Sequence, residues 1–144
     1  MTFFTQEKIF EKIENLNEYL GYLKALRKEA KSEKLFIIDF HLFGNTERYL
    51  HLSIQAIIDI AHLIIIDLGL RKPENNYEAI SILFEKKMIS AKIADKLTKM
   101  IGLRNILVHE YGKIDRKQVY QVLQTQLSDI EAFKKRILTF LKKD

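Results

Sequence analysis

Apolar residues recur at three- and four-residue spacing along almost the whole chain, and only one proline and five glycines interrupt its 144 residues. That spacing builds an apolar stripe on one side of a helix and lacks the strict alternation of a half-buried strand. The sequence therefore predicts an all-α fold with no sheet. A first helix is expected over about residues 6–30, with Ile9, Ile13, Leu16, Leu20 and Leu23 on one stripe and Thr5 as N-cap. A second helical stretch begins near Glu33, is interrupted around Gly44 and Asn45, and continues from Thr46 to about Leu68, where Gly69 supplies the stop. Beyond the loop Arg71-Lys72-Pro73, Asn75 or Asn76 can cap a short helix that reaches about Lys87.

Ser90 caps a fourth helix, which Gly112 ends. Asp115 caps the last, with Val119, Leu123, Leu127, Ile130, Phe133 or Lys134, Ile137 and Leu141 along its seam. The outcome is an up-down helical bundle of about five helices with short connections, one domain over residues 1–144, a length that can bury a core without staples. No cysteine is present, so disulfides and thiolate metal sites are excluded.

A net charge of +5 favours a polyanion such as RNA as partner, although the basic residues are spread along the chain with modest clusters at 134–136 and 142–143. The start, MTFFTQEKIF, lacks a basic region followed by a continuous apolar run, so no export signal is expected. The run LSIQAIIDIAHLIIIDLGL is long enough for a membrane span, but Gln55, Asp59, His62 and Asp67 interrupt it. A buried core helix in a cytoplasmic protein, with no membrane contact, is the expectation.

The most apolar part of the fourth helix, IGLRNILV, carries Arg104 and Asn105, and His109, Glu110 and Tyr111 follow directly. Arg104 continues the stripe of Ile93, Leu97 and Met100/Ile101, which forces its guanidinium against a neighbour. Asn105 and His109 lie four apart and can meet on one face. A purely structural account is available: Arg104 pairs with a carboxylate, His109 caps the helix C-terminus, and Tyr111 packs its ring with a wet hydroxyl.

The order of these residues, R-x4-H-x-Y in RNILVHEY, resembles the signature of the HEPN superfamily and specifically its HepT-type toxins. The segment ERYLHLSIQAIIDIAHLIIIDLGLRKPENNYEAI is similar to the central helix and following loop of the same group. The resemblance implies a dimeric, metal-independent endoribonuclease needing no cofactor, with Arg104 and His109 lining a cleft between protomers. In that setting Arg104 would bind and polarise the scissile phosphate, His109 would move the proton, and Asn105 would orient one or the other. These residue types suit the task, because 2′-hydroxyl attack needs a base, an acid and a cation near the phosphate.

The resemblance further implies the toxin of a type VII-like toxin–antitoxin pair, neutralised by an MntA-like antitoxin of nucleotidyltransferase fold. Tyr111 would then position substrate or accept AMP from that partner. Some relatives carry a tyrosine two residues after the motif arginine; here that position is Ile106. The alternative is a non-catalytic substrate-binding or regulatory subunit of a two-chain nucleotidyltransferase.

Arg48, His51, Gln55, Asp59 and His62 keep three- and four-residue spacing and so form one polar line along an otherwise apolar helix. The line is a solvated face, an internally satisfied network, or a seam bordering the dimer cleft. Metal binding is disfavoured: Asp59 and His62 could chelate, but no second such pair is evident. A phosphate-cradling glycine loop is absent too.

Overall fold

A computed structural model describes residues 1–109 and 115–142, with the backbone alone for Val108 and His109. The described residues form seven helices and no strand: α1 (Phe3–Glu29), α2 (Glu33–Ile38), α3 (Phe40–Asp67), α4 (Asn76–Glu85), α5 (Ala91–His109), α6 (Arg116–Thr125) and α7 (Leu127–Lys142). The fold is the helical bundle expected, with the break in the second stretch displaced and one further break in the last helix.

Side-chain caps fix the helix starts. Ser32, Asn75, Ser90 and Asp115 each accept a backbone N–H from the first turn that follows. Thr2 rather than Thr5 caps α1, accepting from the Thr5 N–H at 3.2 Å. The Thr5 hydroxyl is already committed to Asp67 Oδ1 at 2.8 Å, tying the start of α1 to the end of α3.

The break in the second stretch falls at Asp39, not at Gly44 and Asn45. Asp39 Oδ1 accepts from the N–H groups of His41 and Leu42, so its carboxylate starts α3. Gly44 and Asn45 run on inside α3, where Asn45 Nδ2 donates back to the His41 carbonyl at 2.8 Å. A single helix glycine costs only about 1 kcal/mol, less than a long packed helix gains. The last helix also divides, at Gln126, yet its seam residues are buried on both sides of the break.

Two helix ends share one geometry. At Gly69 (φ 64°) the N–H bonds to the Ile66 carbonyl while Leu70 N–H reaches Ile65, the paired bonds of a left-handed helix stop. Lys87 (φ 60°) repeats it after α4, its N–H on the Phe84 carbonyl and Met88 N–H on Leu83. Arg136 of α7 covers that turn, donating to the Lys87 and Met88 carbonyls at 3.3 Å each.

Among the described residues α3 packs against every helix but α7, which makes it the axis of the bundle. Its length and apolarity would suffice to cross a membrane, but more than half of its most apolar window is buried against the other helices. Leu50, Ile54, Ile57, Ile60, Ile64 and Ile65 are enclosed there, with Phe36 and Phe133 closing the two flanks. Burying each such side chain contributes roughly 1.5–3 kcal/mol. The stripe Ile9, Ile13, Leu16, Leu20, Leu23 of α1 lies in the same core. Because much of α3 is enclosed, its half-buried polar residues Gln55, Asp59 and His62 meet other helices, and one of those is α5.

Candidate active site

Arg104 reaches the α3–α5 seam because Leu97, Met100, Ile101 and Leu103 seat α5 in the core around it. Half-buried, its guanidinium donates from Nη2 to Gln55 Oε1 at 2.6 Å and from Nη1 to Asn105 Oδ1 at 3.2 Å. Both partners are neutral amides. Among the described residues no carboxylate lies within 4.0 Å ion-pair distance of it. Among the described residues, then, Arg104 is held by amides and not by an acid.

Each amide is held from behind. Gln55 Nε2 donates to Asp59 Oδ1 at 2.8 Å, and Lys12 Nζ of α1 binds Asp59 Oδ2 at 3.3 Å. Asn105 Nδ2 donates to the Tyr77 hydroxyl at 3.3 Å, across to the first turn of α4. A line of polar groups thus runs Lys12, Asp59, Gln55, Arg104, Asn105, Tyr77, through four helices.

The polar line of α3 is split by its neighbours. Gln55 and Asp59 join the network, whereas His62 turns to α4, its Nε2 3.1 Å from Asn76 Oδ1. Arg48 is exposed and His51 half-buried. Burial first, then the positive charges of Arg104 and Arg48, push the His51 imidazole below its ordinary pKa. Among the described residues, His51 Nδ1 and Arg104 Nε are buried without a hydrogen-bond partner. Arg48 and Arg104 make this end of the seam cationic, a setting suited to an anion.

α5 continues helically through His109, four residues beyond Asn105. The side chain of His109, together with Glu110, Tyr111 and Gly112, lies outside the described residues. The periodic reading missed Tyr77 and Lys12. Tyr77 sits in the loop-to-helix segment NNYEAI with its ring 39% exposed, and Lys12 lies on the charged side of α1. No sequence spacing connects either one to Arg104. Among the described residues no group of three or more His, Asp or Glu side chains converges as a metal site would require.

The family model described as Ribonuclease HepT-like matches residues 9–137 of this chain. The tRNA nuclease HepT of Aphanizomenon flos-aquae is 32% identical over 130 residues, covering 90% of this chain and 87% of that protein. The mRNA nuclease HepT of Shewanella oneidensis is 35% identical over 111 residues, covering 77% of this chain and 84% of that one. Among solved structures, the tri-AMPylated Shewanella oneidensis HEPN toxin in complex with MNT antitoxin superposes with a TM-score of 0.84 at 29% identity, over 91% of this chain and 96% of that chain. A toxin–antitoxin complex with AMP-PNP gives 0.83 at 28%, over 91% and 97%. With the R-x4-H-x-Y order in its sequence, the shared helical fold and these matches over most of its length, the chain belongs to the HepT-like ribonuclease family.

Proposed function

We propose that this chain is the toxin of a type VII-like toxin–antitoxin pair: a cytoplasmic, metal-independent endoribonuclease that acts as a homodimer. Its antitoxin is an MntA-like nucleotidyltransferase that adds AMP to Tyr111. The observation that carries the reading is the state of Arg104, half-buried, clamped by two amide oxygens, and left with its charge uncompensated by any described carboxylate. An oriented guanidinium of this kind suits a phosphate, whose oxygens its planar fork can grip in pairs.

In the reaction the 2′-hydroxyl attacks the adjacent phosphorus and the 5′-oxygen leaves. Arg104 stabilises the charge that builds on the non-bridging oxygens. His109 takes the proton from the nucleophile or supplies one to the leaving group, and a second copy brings the other imidazole. Asn105 orients the guanidinium, and Tyr111 stands at the same end of the sequence motif. The relatives support the partner: one solved neighbour is an AMPylated toxin bound to its antitoxin.

Expression of this chain alone in a bacterial host tests the reading. Growth arrest and RNA cleavage that survive a chelator, but vanish in Arg104→Ala and His109→Ala, are expected. Loss of a proton carrier costs ~10²–10⁴-fold in rate. Light scattering should show a dimer, whose interface would bury more than ~1,000 Å². Arrest that persists in both variants overturns the assignment. No arrest and no cleavage by the parental chain would favour the non-catalytic subunit.

A further inference from the structure

Resting on that reading of Arg104, we propose that Gln55 is a positioning residue of the site: a neutral spacer that aims the guanidinium while separating it from the carboxylate of Asp59. Four side chains stand in sequence of charge: Lys12 positive, Asp59 negative, Gln55 neutral, Arg104 positive.

A carboxylate at position 55 would orient Arg104 equally well, yet a paired acid would then have to be displaced by every phosphate that binds. An amide oxygen accepts the N–H bond and leaves the charge free. An amide alone is ambiguous, since rotation by half a turn would present its NH2 to the guanidinium. Asp59, one turn further along α3, removes the ambiguity by accepting from Gln55 Nε2 at 2.8 Å, so Oε1 must face Arg104. Lys12 in turn holds the other oxygen of Asp59 at 3.3 Å, keeping that negative charge on the α1 side of the seam.

A second amide meets the guanidinium beside it. Asn105 turns its oxygen to Arg104 and its NH2 to the Tyr77 hydroxyl. Two fixed amides thus hold one arginine from neighbouring sides, and neither brings a charge. Gln55 sits 49 residues from Arg104 in sequence, outside the R-x4-H-x-Y motif.

The test uses the full-length chain with a labelled single-stranded RNA oligonucleotide, reading affinity, its dependence on salt, and cleavage. Gln55→Glu gains an ion pair with Arg104 but sets a second carboxylate against Asp59, so its melting point should be unchanged or lower, and it should lose about ten- to a hundredfold in cleavage, the factor that a charge-assisted bond commands. Its affinity should depend less steeply on salt, by about 0.7 in the log–log slope, as if one phosphate contact were gone. Arg104→Ala should show the same change in slope. Asp59→Ala releases the Gln55 amide and should lower cleavage, and Asp59→Asn, which keeps an accepting oxygen, should recover most of that loss.

Parental cleavage and salt slope in Gln55→Glu, beside an inactive Arg104→Ala, would reduce Gln55 to packing and overturn the proposal alone. Should Gln55→Glu fail to fold, equal losses in Asp59→Ala and Asp59→Asn would overturn it instead. If Arg104→Ala binds and cleaves like the parent, the functional reading beneath the proposal falls with it.

Discussion

Asn105 and Tyr77, 28 residues apart, are joined by a 3.3 Å hydrogen bond in which the amide of α5 donates to the phenol at the start of α4. The donor-only guanidinium of Arg104 draws the Asn105 oxygen to it, and the bond to Tyr77 holds the other end of the amide in place. Tyr77→Phe removes the acceptor and loosens the Asn105 amide. RNA cleavage should fall by less than about tenfold, in line with one neutral hydrogen bond worth about 0.5–1.5 kcal/mol. The melting point should barely move, because the ring is partly exposed and keeps its place. Parental cleavage by Tyr77→Phe would show that the Asn105 orientation is set elsewhere.

His51 should make stability depend on pH. Burial and the charges of Arg104 and Arg48 lower its folded pKa below the ordinary 6.5, so the unfolded chain binds this proton more readily than the folded one. The associated stability is fully present above that ordinary value and is lost as pH falls from there through the lowered folded value. Thermal unfolding followed from pH 7.5 down to 5 should therefore show a steeper decline for the parent than for His51→Gln. Equal slopes would mean that the imidazole is charged as easily in the fold as in water.

The turn after α4 holds Lys87 at φ 60°, a conformation in which a side chain is strained and glycine is not. Lys87→Gly should raise stability by about 0.5–1 kcal/mol in chemical denaturation, because Gly69 already performs the same task at the end of α3. The backbone bonds from Arg136 to the carbonyls of Lys87 and Met88 do not involve the lysine side chain and should persist. A destabilised variant would assign the Lys87 side chain a contact of its own.

Control by the antitoxin should be visible as mass. Co-expression with a neighbouring nucleotidyltransferase should add one or more AMP units to the peptide containing Tyr111. The added phosphate would neutralise Arg104 while its nucleoside fills the cleft, two effects that oppose RNA binding without unfolding. An unmodified peptide, or full inhibition of Tyr111→Phe by the same partner, would mean that the antitoxin acts by binding alone.

The sequence by itself determined the class of fold, because a three- and four-residue apolar period can bury its stripe only as packed helices. It also marked three helix starts, since Asn75, Ser90 and Asp115 carry a side-chain acceptor where the stripe begins, and it marked Gly69 as a stop. The motif from Arg104 to Tyr111 was legible for the same local reason, its residues being close together in sequence. What the tertiary structure decided is which faces meet. Asp39 won the helix break over Gly44, and Thr2 the cap over Thr5, through competition among nearby acceptors and the distant Asp67. The site network joins Lys12 to Asp59 across 47 residues, Gln55 to Arg104 across 49, and Asn105 to Tyr77 across 28. Periodicity reports the side of a helix on which a residue lies, but the neighbour which that side meets is set by the packing of the whole core around α3.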